Sequence, residues 1–97
     1  MIESFADRAT EDVFDGRDSK RARAACPRAL WRVARRTLDL LNRASGLRDL
    51  AIPPGNRLER LQGDRSGRYS VRINEQYCVC FVWKDGCAFD VEITDYH

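Results

Sequence analysis

An α+β fold, with N-terminal helices packed on one face of a small twisted antiparallel sheet, is what this 97-residue chain predicts. Three observations carry it. Leu30, Ala34, Leu38 and Leu41 recur every three or four residues, the spacing of one helix face. In the second half Tyr69, Val71 and Ile73, then Tyr77, Val79, Phe81 and Trp83, then Phe89, Val91 and Ile93 alternate with their neighbours, the period of half-buried strands. The length suits one domain spanning residues 1–97.

Composition narrows the class. Hydrophobic residues make up 43% and charged ones 33%, too apolar for a disordered chain and too polar for a membrane protein. The longest apolar run is Tyr77 to Trp83, far short of the roughly 18 residues that span a bilayer. The start, Met1-Ile2-Glu3-Ser4-Phe5-Ala6-Asp7, has neither a basic opening nor an apolar stretch, so a cytoplasmic location is expected.

The elements follow in order. Ile2 to Phe5 suits a short edge strand and Arg8 to Phe14 a short helix; residues 16–26 read as a connection. Pro27 fits the first turn of a helix, where its missing N–H costs nothing. The Leu30 stripe, widened by Trp31, Val33 and Leu40, predicts a strong amphipathic helix that Gly46 stops. Leu47 to Ile52 reads as an apolar bridge and Pro53-Pro54-Gly55-Asn56 as irregular. Leu58 and Leu61 flank a short extended segment, Asp64-Arg65-Ser66-Gly67 forms a turn, and the three strands follow with Asn74-Glu75-Gln76 and Lys84-Asp85-Gly86 between them.

Register follows from the apolar pattern. If Val79, Phe81 and Trp83 share a face with Phe89, Val91 and Ile93, Trp83 lies opposite Phe89 across a three-residue loop at 85–87. Cys78, Cys80, Val82, Arg72 and Asp90 then occupy the other face. That face is left open by the helices and is where a ligand is expected.

Charge is unevenly spread. Residues 1–16 hold five acids against Arg8, and residues 17–36 hold eight bases against Asp18. Residues 55–75 carry Arg57, Arg60, Arg65, Arg68 and Arg72 against three acids. Two basic segments suit a polyanion partner; solvated helix and rim charges would give the same count.

Cys26, Cys78, Cys80 and Cys87 include no Cys-x-x-Cys pair, and their spacing with the single His97 does not suggest zinc. They read as reduced, partly buried small hydrophobes, and no metal or cofactor is expected. Metal-free phosphodiester chemistry needs an acid, a base and cationic stabilisation. Asp95-Tyr96-His97 holds candidate groups, with Asp95 and the terminal carboxylate favouring the protonated imidazole. The bland alternative is a frayed polar tail. Trp31 and Trp83 read as core or interface residues.

Three strings in fixed order carry a resemblance. They are Ile52-Pro53-Pro54-Gly55-Asn56-Arg57-Leu58-Glu59, then Gly63-Asp64-Arg65 with Gly67-Arg68-Tyr69-Ser70-Val71-Arg72-Ile73-Asn74, then Asp90-Val91-Glu92-Ile93-Thr94-Asp95-Tyr96-His97. The chain resembles HigB-type toxins of the RelE/ParE superfamily, from bacterial type II toxin–antitoxin systems. The resemblance implies a RelE-like fold and metal-independent mRNA endoribonuclease activity in the ribosomal A site, inhibiting translation. The ribose 2′-hydroxyl would attack the adjacent phosphorus, with Asp95, Tyr96 and His97 in the active site and Arg57, Arg60, Arg65, Arg68 and Arg72 on RNA phosphate. It implies a HigA-type helix-turn-helix antitoxin in a hetero-oligomer, with ribosome and mRNA as targets.

Three positions depart from that pattern. Cys78 stands where relatives usually carry Arg, Val82 where they often read Arg in Cys-Phe-Arg-Trp, and Gln62 where Lys is common. The expected site is short of cations and its cleavage attenuated. The alternative is a relative that acts only through antitoxin binding, or a ParE-like gyrase inhibitor.

Overall fold

The computed structural model describes residues 1–51, 57–62 and 67–95. The helices come first: α1 (Arg8–Asp15), α2 (Lys20–Ala25), a 3-10 turn (Arg28–Leu30), α3 (Trp31–Arg43) and α4 (Leu47–Ala51). The strands β1 (Glu59–Arg60), β2 (Arg68–Arg72), β3 (Tyr77–Lys84) and β4 (Cys87–Asp95) form one antiparallel sheet in the order β1-β2-β3-β4. The α+β expectation holds. No helix among the described residues is long and apolar enough to cross a membrane.

The expected connection at 16–26 contains α2. Ser19 caps it by accepting the Ala22 N–H at 3.1 Å, and Lys-Arg-Ala-Arg-Ala-Ala is a good helical run once capped. Asp12 ties α1 to this cap: its carboxylate accepts from Ser19 Oγ and from Arg21 Nε, both at 2.6 Å. These bonds hold the Asp12 carboxyl below the usual aspartate range, the Arg21 guanidinium contributing most.

The long helix ends at Arg43, before Gly46, and the apolar bridge winds into α4. Asp49 accounts for the restart. Its carboxylate accepts the Ser45 N–H at 2.9 Å and the Ser45 hydroxyl at 3.0 Å, satisfying a donor at the new helix start. The Ser45 backbone bond is the main cause of its lowered pKa.

Leu38 and Leu41 of α3, Val13 of α1 and Leu50 of α4 are buried against Val71, Val79, Phe81 and Val91 of the sheet. Trp31 joins the edge of this core and donates its indole N–H to the Cys26 carbonyl at 2.8 Å. Trp83 packs there too, partly buried. Burying one such aliphatic side chain contributes about 1.5–3 kcal/mol.

The β3–β4 register differs from the expected one. Lys84 pairs with Cys87 and Trp83 with Ala88, so the loop is the two residues Asp85-Gly86. Both have positive φ, 53° and 77°, the backbone of a type I′ turn. Further along, Val82 pairs with Phe89 but Cys80 with Glu92, which inserts one extra residue into β4. This bulge centres on Asp90, at φ 52°. Val91 and Ile93 therefore face the core with Val79 and Phe81. Phe89 shares the open face with its partner Val82, contrary to the apolar pattern.

The N-terminal segment runs beside β4, with parallel bridges from Ile2 to Ala88 and Phe5 to Val91. Ser4 Oγ accepts the bulge's Asp90 N–H at 2.9 Å. The readings of Pro53-Pro54-Gly55-Asn56 and of most of the Asp64–Gly67 turn lie outside the described residues.

Candidate functional site

Pairing decides which side chains face away from the helices. Ser70 lies opposite Cys80 and Arg72 opposite Cys78, and across β4 Cys78 meets Thr94 and Cys80 meets Glu92. Glu59 pairs with Ser70 and so joins the same face. Together with Arg57, Leu61, Glu75 and Asp95, residues of this face line a cleft of about 690 Å³.

Arg72 is fixed from the following turn. Its Nε donates to the Asn74 carbonyl at 3.1 Å, while Asn74 Oδ1 accepts the N–H groups of Gln76 and Tyr77 at 2.9 and 2.7 Å. The same turn orients Asp95: Gln76 Nε2 donates to its Oδ2 at 3.0 Å. One short turn thus positions a guanidinium and a carboxylate on the cleft. Arg57 enters from the β1 side with φ 46°. Arg72 and Arg57 bring two guanidiniums to the cleft, groups that can hold a phosphate through charge-assisted bonds.

The other expected arginines divide. Arg60 pairs with Tyr69, on the helix side of the sheet, and its guanidinium lies 5.8 Å from that ring's centre, outside the cleft. Arg68 shares the open face but reaches across Val82 toward β4. There it donates to the Asp90 carbonyl at 3.0 Å and contacts the Glu92 carboxylate at 3.5 Å. A side chain with no charge at Val82 leaves that path open. Arg65, Tyr96 and His97 lie outside the described residues, so of the expected catalytic trio only Asp95 is placed. Gln62 is exposed and does not line the cleft.

Cys78 is buried at the cleft floor, 6% exposed, with Arg72 directly across the strand pair. Among the described lining residues, two guanidiniums meet three carboxylates: Glu59, Glu75 and Asp95. No group of three metal-ligating side chains occurs among the described residues. Sequence reasoning placed Cys80 on the open face with Arg72 and Cys78, but did not single out Ser70, Thr94, Glu59 and Glu75. Strand alternation with Arg72 could have found Ser70. Glu59 depends on a pairing across a long connection, for which no local signal exists.

A helix-covered antiparallel sheet with a polar cleft on its open face is consistent with a RelE-like fold. The chain matches the family of RelE-like toxins of the type II toxin–antitoxin system HigB over residues 3–97, and it belongs to that family. It is 39% identical over 90 residues to Toxin HigB-1 of Vibrio cholerae serotype O1, covering 93% of this chain and 92% of that one. It is also 37% identical over 59 residues to an uncharacterized protein of Haemophilus influenzae, covering 61% of this chain and 58% of that protein. Membership gives it the general character of a toxin with an antitoxin partner.

Proposed function

We propose that the protein is a ribosome-dependent, metal-independent mRNA endoribonuclease with attenuated activity, held in check by a HigA-type helix-turn-helix antitoxin. The observation that supports this most is the convergence of Asp95, Arg72 and Arg57 on one open cleft. In this reading message enters the cleft in the ribosomal A site. The 2′-hydroxyl of one ribose attacks the adjacent phosphorus, and the bond to the departing 5′-oxygen breaks, leaving a cyclic phosphate and a 5′-hydroxyl. His97 and Tyr96 supply acid and base, and Asp95 favours the protonated imidazole. Arg72 and Arg57 neutralise charge building on the phosphoryl oxygens.

Attenuation follows from the floor of the same cleft. A thiol at Cys78 cannot donate the charge-assisted bond an arginine would. Such a loss costs on the order of 2–4 kcal/mol in the transition state, roughly a hundredfold in rate or more. Arg72 is the cation directly across from Cys78. Arg68, already engaged with Glu92, does not line the cleft.

The excess of carboxylates over guanidiniums in the described lining favours a second reading. In it the protein acts only by binding, to an antitoxin or, ParE-like, to gyrase. Induced expression of the chain alone, with primer extension on abundant messages, separates the two. The nuclease reading expects growth arrest with codon-phased cuts, lost in His97→Ala and increased in Cys78→Arg by about a hundredfold. Arrest that survives His97→Ala, or intact messages from soluble protein, overturns it. Unchanged cleavage in Cys78→Arg overturns the attenuation argument.

A further inference from the structure

We propose that Phe89, with Arg68 beside it, is a stacking platform for an unpaired nucleobase at the mouth of the cleft. The inference rests on the reading of the cleft as a site for single-stranded RNA, and adds to it a place for a neighbouring base.

The open face is built in rows that cross the strands. Arg72, Cys78 and Thr94 form one row and Ser70, Cys80 and Glu92 the next, and residues of both line the cleft. Arg68, Val82 and Phe89 form the row after these. Two residues along a strand cover about 6.6 Å, so this row lies one short step beyond Cys80 at the cleft floor.

The bulge brings Phe89 here. Unbroken alternation would place it in the core with Val91 and Ile93. Instead Ala88, wholly buried, takes the inward position opposite Trp83. Phe89 is partly exposed and is not among the described side chains packed against the core. The fold thereby leaves a phenyl ring partly in water and holds Asp90 in the left-handed region, at φ 52°. Bulges re-aim side chains and are over-represented beside active sites, where backbone strain also collects.

The row suits a base. Phe89 offers a ring and Val82 an apolar flank. Arg68 adds a guanidinium, a quarter exposed, whose Nη2 donates at 3.0 Å to the carbonyl of Asp90, the residue next to Phe89. Aromatic rings and guanidinium planes are the groups on which proteins stack unpaired RNA bases. Continuity with the cleft decides the occupant. A strand whose phosphate lies against Arg72 and Arg57 extends along the same face to Phe89.

The test is binding of a fluorescein-labelled single-stranded RNA of about eight nucleotides to the full-length protein, with every 2′-hydroxyl methylated so that the strand cannot be cut. Fluorescence anisotropy should show Phe89→Ala weakening binding by roughly tenfold and Phe89→Leu by nearly as much, while Phe89→Trp binds at least as tightly as the parent. The slope of log affinity against log salt should stay the same in Phe89→Ala, because no phosphate contact is lost. Circular dichroism reports whether each variant keeps its fold. Undiminished binding by folded Phe89→Ala overturns the proposal, and is the result expected if the row serves a protein such as the antitoxin. A Phe89→Leu that binds as tightly as Phe89→Trp overturns it too, as does a parent that does not bind the strand. Primer extension reads cleavage separately. A parent that binds through Phe89 but leaves messages intact defeats the nuclease reading and keeps the platform. A parent that cuts messages while Phe89→Ala binds undiminished defeats the platform alone.

Discussion

Asp12 shows how much one side chain can organise. It is almost wholly buried, and its carboxylate joins the cap of α2 to the Arg21 guanidinium. Its pKa is lowered in the folded protein, as is that of Asp49 beside Ser45. A carboxyl with a depressed folded pKa stabilises fully above its unfolded value, near 3.9, and that contribution fades as pH falls through the folded value. Thermal melts of Asp12→Asn should therefore show a lower midpoint than the parent at neutral pH. The gap between them should narrow below about pH 4, where the parent loses its own carboxylate. A gap independent of pH would mean that Asp12 acts through shape alone. None of this was visible in the chain order, because Asp12, Ser19 and Arg21 meet only after Gly16 turns the chain at φ 76°. At the cleft, by contrast, Arg72 and Cys78 were legible as residues of one open face, since strand alternation states it directly.

At the scale of elements, periodicity identified α3 and the three long strands because each buries one face, and burial imposes the period. α2 and α4 escaped it. At six and five residues they are too short to display a stripe, and caps at Ser19 and Asp49 define them instead. The strand register failed for a different reason. Phe89, Val91 and Ile93 alternate without a break, yet the bulge at Asp90 turns Phe89 to the opposite face. Aspartate tolerates the left-handed backbone there better than a branched residue does. Ser4 and Arg68 hold the bulge's N–H and carbonyl, at 2.9 and 3.0 Å. Asp90→Val should cost about 1–2 kcal/mol in urea denaturation, whereas Asp90→Gly, free of a Cβ, should lie much closer to the parent. Equal midpoints for Asp90→Val and the parent would refute a left-handed residue at this position.

For the whole molecule, the asymmetry of charge in the chain is redistributed on folding. The segment 17–36 carries eight bases, but Asp12 of the N-terminal region and the segment's own Asp18 take up three of them. Arg21 pairs with Asp12, and Arg23 and Arg28 both pair with Asp18. Arg35 lies against Gly16 at the C-terminal end of α1, where a cation suits the helix dipole. Arg32 and Arg36, one turn apart on the exposed side of α3, form no ion pair among the described residues. α3 packs on the sheet face opposite the cleft, so this basic surface points away from Arg57 and Arg72. A toxin seated between message and ribosomal RNA would use both sides, each neutralised phosphate adding to the salt dependence of binding. Replacing Arg32 and Arg36 together by alanine should therefore weaken ribosome binding most at low salt. It should lower the slope of log affinity against log salt by about 1.4, at roughly 0.7 for each phosphate no longer neutralised. Both side chains are exposed, so the melting temperature should stay near that of the parent. Binding measured across graded potassium chloride decides between the two meanings of the basic segment. A slope that stays at the parent value would make it a solvated helix face, and the proposed RNA recognition would then rest on the cleft alone.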